Sequence, residues 1–317
     1  MYVRKVSYLF IALASLSFCV DRPGATFLLI PPSARANGMA YAFTAVSDNA
    51  YANYYNSAGL PFLQSPMLTV TYLGHLTGVA PNQHYAYFAL CYPLVNSAWG
   101  FDFVFFTPGE AEKRDSLGIY LGTELVWRIA PKISYARRLS DQLSLGLALK
   151  FVFERYLEGI CFGDFCYTDA NGKSWAFDFN LLYKPLRNLS LGAVLHNIGP
   201  DASYASDPLP RLGRLGIAYV PLDNRYVKCT LTSEITKILV DRREFRDTWK
   251  AIGLELLCYS LLSLRGGYFY DYASYRDGLT FGLGLNIMNF EFDIGIDELI
   301  YDWPTQSRTI SLSYRFN

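Results

Sequence analysis

From Met67 to the C-terminus the chain alternates between apolar and polar positions. Leu143, Leu145, Leu147, Leu149, Phe151 and Phe153 interleave with Ser144, Gly146, Ala148 and Lys150. Trp99, Phe101, Phe103 and Phe105 interleave with Gly100 and Asp102. Trp175, Phe177, Phe179, Leu181 and Tyr183 do so with Asp178 and Asn180, and Phe290, Phe292, Ile294 and Ile296 with Glu291 and Asp293. The last residues repeat the pattern, with Ile310, Leu312, Tyr314 and Phe316 on one face and Ser311, Ser313 and Arg315 on the other. Successive side chains of a strand point to opposite faces, so each segment has one apolar and one polar face. Period-two alternation over about ten residues is what a tilted membrane-spanning strand needs. The pattern predicts about fourteen strands: 67–74, 83–92, 97–106, 127–139, 142–156, 174–184, 188–197, 211–221, 225–239, 247–258, 262–270, 277–287, 289–297 and 306–316.

The connections test this count. Membrane barrels have short turns at the periplasmic end and longer loops outside. Every even connection is short: Pro93–Asn96, Ser140–Asp141, Pro185–Arg187, Leu222–Asn224, Tyr259–Leu261 and Met288. The odd ones include the longer Thr107–Val126, Leu157–Lys173, Ile198–Pro210 and Glu298–Thr305. An even number of strands also returns the C-terminus to the side where the first strand begins. The expected fold is all-β, a transmembrane antiparallel β-barrel of residues 67–317.

The N-terminal part does not alternate. Tyr2-Val3-Arg4-Lys5 precedes an apolar run to Val20, with Ser15 and Ser17 at a cleavage position, so residues 1–20 read as a signal peptide. Phe18 before Cys19, where lipidation wants a small residue, speaks against a lipoprotein. Residues 21–66 carry Pro31-Pro32, Pro61 and Pro66 together with Phe27 to Ile30, Met39, Phe43, Leu60 and Phe62. So much apolar surface needs burial, and the expected place is the lumen, as an N-terminal plug or hatch.

Composition narrows the choice further. Aromatic residues make up 16% of the chain, high for a soluble β-sandwich and ordinary for a barrel with interfacial girdles. The 28 basic and 28 acidic residues cancel, which gives nucleic acid no basic face. Cys161 and Cys166 lie close together in a Gly/Asp-rich loop and could pair in an oxidising compartment. Cys91, Cys229 and Cys258 fall in strands as small packing residues.

The order of motifs in the N-terminal segment resembles the PorV/PorQ family. It is carried by Phe27-Leu28-Leu29-Ile30-Pro31-Pro32-Ser33-Ala34-Arg35-Ala36-Asn37-Gly38-Met39-Ala40 and by Asp48-Asn49-Ala50 through Asn56-Ser57-Ala58-Gly59. Ser134 to Leu139, Asn197-Ile198-Gly199 and Leu209 to Leu212 continue the resemblance. The chain departs from the pattern where Ala40 stands at a common glycine and Ser57 at a common proline. The resemblance marks Ala34, Arg35, Gly38, Met39, Asn56, Ala58 and Gly59 as motif residues of the plug. It implies a place in the bacterial outer membrane and a part in type IX secretion. Exported cargo C-terminal domains or secretion-system subunits would be the partners, handed over at the cell surface. The family is similar in turn to FadL-type fatty-acid transporter barrels, which implies a second reading with a hydrophobic small molecule in the lumen.

Strand parity points Asp102, Lys132, Arg138, Lys150, Glu154, Asp178, Lys184, Glu255, Arg265, Glu291, Asp293 and Arg315 inward. Their mixed sign suggests cross-strand neutralisation more than a selective pore, which favours one sign. Of three histidines, His196 points inward beside Asn197. No serine has a recognisable activating setting, and no hydrolase, metalloprotease or Walker motif occurs. Neither an enzyme nor a cofactor or metal site is expected. The charged segments Glu110–Asp115 and Asp241–Asp247 read as outer loops, where partners could bind. Phe106, Trp249 and Phe269 are inward aromatics that would favour a hydrophobic guest if they cluster.

Overall fold

The structure, a computed structural model, describes residues 23–74, 82–114, 119–156, 171–201, 207–240, 248–271, 276–297 and 308–317, and the backbone of 160–162 and 165–167. The signal-peptide stretch, His75, Asp241–Asp247 and most of the last outer connection lie outside the described residues. Among these, fourteen strands close into one antiparallel barrel. They are β1 (Met67–Gly74), β2 (His84–Pro93), β3 (Ser97–Arg114), β4 (Tyr120–Arg138), β5 (Leu143–Arg155), β8 (Asn171–Leu186), β9 (Leu189–Ile198) and β10 (Leu212–Asp223). The circuit continues through β11 (Val227–Ile238), β12 (Trp249–Cys258), β13 (Leu262–Asp271), β14 (Arg276–Ile287), β15 (Phe290–Ile296) and β16 (Arg308–Arg315). Pairing of β1 with β16, Val70 opposite Leu312, closes the ring. Closure removes every free edge, which a strand in lipid cannot leave exposed.

Two further strands, β6 (Ile160–Phe162) and β7 (Phe165–Tyr167), form a hairpin within the loop between β5 and β8. Their register sets Cys161 opposite Cys166. The side chains of both cysteines lie outside the described residues.

One expected boundary is corrected. Glu110 to Arg114 and the residues after Tyr120 continue β3 and β4 as a paired extension. A bulge between Phe106 and Gly109 shifts the register there, and Gly109 takes φ +101°. Pro108 and the charged run after it leave the β3 limb of the extension without an apolar face, while Leu121 and Leu125 stand exposed on the β4 limb.

The outward positions carry the apolar residues. Phe101, Leu147, Phe179, Leu215, Leu254, Phe281 and Ile294 are all exposed. Aromatic side chains ring the short-turn end: Trp99 packs on Tyr135 and Phe290 on Tyr314, each with centroids 4.9 Å apart. This is the interfacial girdle of a lipid-facing barrel.

The filled lumen as candidate functional site

Residues 24 to 66 thread the barrel from end to end. Gly24 donates its amide to Pro208 O at the long-loop end. Pro66 accepts from Phe316 N at the short-turn end. Between them lie short helical turns at Thr26–Leu29, Ala34–Asn37, Ala52–Tyr55 and Ser57–Phe62. Ser33 caps the second by accepting from Ala36 N, and Asn56 caps the last by accepting from Ala58 N. Phe43, Tyr51, Tyr55 and Leu60 of this segment are completely buried. Tyr54 donates to Leu28 O, and Tyr51 pairs with Thr71 of β1.

What lets a chain fit inside a barrel of this size is missing side chains. Inward glycines face each other in three cross-strand pairs: Gly192 with Gly216, Gly253 with Gly267, and Gly282 with Gly295. Each pair receives a stretch of the segment's own backbone. A Cβ on Gly192 would stand 2.4 Å from Thr44 O, one on Gly253 2.7 Å from Met39 O, and one on Gly295 2.5 Å from Ala34 O. Sequence reasoning did not single out these pairs. Their signal was glycine at inward parity on neighbouring strands.

Charged side chains hold the segment as well. Arg35 is clamped between two carboxylates. Its Nε and Nη2 donate to Glu255 of β12 at 2.7 Å each, and its Nη1 and Nη2 donate to Asp48 at 2.6 and 3.2 Å. Glu255 also accepts from Arg265 Nε at 2.6 Å, and Arg265 Nη1 reaches Asp293 at 2.6 Å. Fork-on-carboxylate geometry of this kind is the strong form of an ion pair. On the other side, Glu234 of β11 accepts the backbone amides of Phe43 and Thr44 at 3.0 and 2.9 Å. Lys132 of β4 donates to Asn53 O at 2.6 Å and pairs with Asp102 at 2.9 Å. Asp178 of β8 stands 3.4 Å from Lys150 and 3.3 Å from His196 Nδ1. A register shift where β8 meets β9, with Asn197 at φ +59°, turns both His196 and Asn197 inward.

The motif residues all fall in this luminal segment. Ala34 lies over Gly295, Gly38 over Gly282 and Met39 over Gly253. Asn56 donates to both Thr44 O and Leu181 O at 2.9 Å, tying one turn to another and to β8. The Ala58 amide lies against Gly146, and Gly59 sits so close to Ser47 that a Cβ would meet its carbonyl oxygen at 2.0 Å. Ala40, where the resembling pattern has glycine, takes φ +53°. A left-handed conformation costs a side-chain-bearing residue roughly 1–2 kcal/mol. Ala40→Gly should therefore stabilise the protein by about 1 kcal/mol, read as a raised denaturation midpoint; a lowered midpoint would show that the methyl group's packing outweighs the strain.

At the long-loop end the lumen keeps a cavity of about 300 Å³. Leu29, Ile30, Pro31 and Tyr41 of the segment line it together with Trp249 and Phe269. These two rings lie 6.3 Å apart, so two of the three inward aromatics cluster. Phe106 packs elsewhere, stacked on Phe27.

A closed barrel with an apolar exterior, interfacial aromatics and a lumen filled by its own N-terminal segment has the build of an outer-membrane β-barrel. Solved structures agree on the fold. The chain is similar to the Pseudomonas putida toluene transporter TodX, with TM-score 0.58 and 13% identity over 90% of this chain and 96% of that one. It is similar to the Ralstonia pickettii toluene transporter TbuX, with TM-score 0.54 and 13% identity over 85% and 94%. A FadL homologue from Pseudomonas aeruginosa gives TM-score 0.51 and 12% identity over 90% and 98%. Comparison with curated proteins gave no sequence match. The pattern of the Type IX secretion system protein PorV matches residues 20–244, and the chain belongs to that family.

Proposed function

We propose that this protein is a binding component of protein export at the outer membrane. It engages exported cargo or secretion partners and hands them over at the cell surface. Family membership over residues 20–244 is the observation that carries this reading. The geometry supports it, because a lumen filled and tied down by the protein's own segment suits a docking scaffold better than a diffusion pore. The mechanism is non-covalent, with loops on a rigid barrel presenting the contacts.

The test is mass spectrometry of what co-purifies with the tagged protein from its native outer membrane in mild detergent. Exported proteins or secretion subunits in stoichiometric amount are the expected result. A lone barrel carrying lipid or hydrocarbon would overturn it.

That outcome would favour a second reading, transport of a hydrophobic small molecule past a movable hatch. The observation behind it is the aromatic cavity at the long-loop end, walled by Trp249 and Phe269.

A further inference from the structure

The charges at the short-turn mouth of the lumen are distributed unevenly. On the side of β12 to β16 each cation has carboxylate partners: Arg35 has Asp48 and Glu255, Arg265 has Glu255 and Asp293, and Arg315 has Glu291. On the side of β4 to β11 stand Arg138, Lys184 and Lys228. Strand parity turns all three into the mouth, since Arg137, Tyr183 and Leu231 on those strands face outward. Lys184 Nζ lies 3.9 Å from the centre of the Phe62 ring, and the Arg138 guanidinium lies 5.8 Å from the same ring. The polar contacts of Arg138 are the neutral oxygens of Val95 and Asn96. Asp48, Lys228 and Arg138 are all within electrostatic reach of Lys184. Lys228 also lines a polar cavity of about 190 Å³ that opens beside Asp48 and Asn49.

The carboxylates nearest these lysines are already engaged: Asp48 by the Arg35 fork, and Glu255 and Glu291, which line the same cavity as Lys228, by Arg35, Arg265 and Arg315. Asp223 lies opposite Lys228 in the ladder but is exposed to solvent, where a pairing is worth little. Grouped cations on a mouth that is otherwise neutralised pair by pair leave a positive field without its counter-charge.

We propose that this mouth docks an acidic, extended segment of a periplasmic protein, with Lys184, Lys228 and Arg138 receiving its carboxylates and Phe62 its adjoining apolar groups. The short turns of such barrels face the periplasm, so the partner arrives from that side. Lipid is the weaker occupant. The three cations point into the lumen, away from lipid, while the outward residues at this level are Arg137 and the girdle aromatics Tyr135, Tyr183 and Tyr219. The inference goes beyond the export role, since it requires only the sidedness of the barrel and no particular cargo.

The test uses the full-length barrel in lipid nanodiscs and fluorescein-labelled oligoglutamate and oligolysine peptides of equal length. Oligoglutamate should bind, and more weakly as salt rises. The Lys184→Gln/Lys228→Gln variant should lose at least about tenfold in affinity while keeping the heat-modifiable gel mobility of a folded barrel. Oligolysine should not bind. Absence of oligoglutamate binding at low salt, or binding that the variant retains, would overturn the proposal. So would displacement of the peptide by short-chain phosphatidylglycerol at a lower concentration than by acidic peptide, which would make the mouth a lipid-headgroup site. If the co-purification experiment finds no cargo but oligoglutamate still binds, the export reading alone fails.

Discussion

The Gly192→Val/Gly216→Val double variant will conduct ions across a planar bilayer where the wild-type barrel stays closed. The two glycines lie opposite each other on β9 and β10, and the backbone of Thr44 and Ala45 rests on them. A Cβ at Gly192 would lie 2.4 Å from Thr44 O, 2.8 Å from Thr44 C and 3.0 Å from Ala45 N. All three atoms are backbone, so no rotamer change relieves the clash. A Cβ at Gly216 adds a contact 3.2 Å from Ala45 N. Overpacking costs about 1–3 kcal/mol per site and sometimes more. The barrel wall is held by ladders on both sides, whereas the segment is held by scattered contacts, so the segment is the part that yields. Gly213→Val is the control. That glycine faces outward, where only the flexible tips of Leu239 and Leu195 come within 3.6 to 3.8 Å, and the barrel should stay closed. A double variant that folds and insulates like the wild type would show that the segment does not seal the lumen through these pairs.

Much of this architecture is legible in the amino-acid sequence. In β12 to β15 a mostly apolar outward face alternates with mostly small or charged residues, and the observed ends fall within two residues of the expected ones. The parity of short and long connections gave the same strand count. Where the face is interrupted, the reading stopped early. Thr107-Pro108-Gly109 breaks the alternation of β3, and the charged run Glu110 to Arg114 beyond it offers no apolar face to mark it as strand. Period-two patterns report on two environments; a strand limb whose two faces carry the same kind of residue has no pattern to show.

The candidate site was legible in part. Parity placed the charged residues inward, and Asp102 with Lys132 and Glu255 with Arg265 are direct cross-strand partners. Parity alone would turn Asn197 outward, and the register shift at the β8–β9 contact reverses it. The glycine pairs were visible as single residues, but their pairing depends on register, which follows from turn and bulge geometry. Contacts between strand side chains and the segment backbone were out of reach. Glu234 looks like one more luminal charge until the amides of Phe43 and Thr44 are seen to converge on it.

That carboxylate sets the second large effect. Glu234→Ala should release the middle of the segment, with amide exchange at Phe43 and Thr44 accelerated by roughly a hundredfold to a thousandfold. Glu234 Oε2 accepts both amides, while Oε1 accepts from Thr236 Oγ1 at 3.2 Å and faces Arg214 Nη1 at 3.4 Å. Truncation leaves two buried donors without acceptor, at about 1–3 kcal/mol each. It also strands a buried arginine, since Arg214 is only 4% exposed and lies over the rings of Tyr54 and Tyr55. Breaking one half of a buried ion pair costs about 3–5 kcal/mol. Glu234→Gln keeps a carbonyl oxygen for the amides and should cost less. The Glu234→Ala/Arg214→Met pair separates the two contributions. Removing the cation along with its partner should recover part of the loss in global stability, but exchange at Phe43 and Thr44 should stay fast, because their acceptor is still missing. Slow exchange in the double variant would mean that Glu234 acts on the segment only by neutralising Arg214.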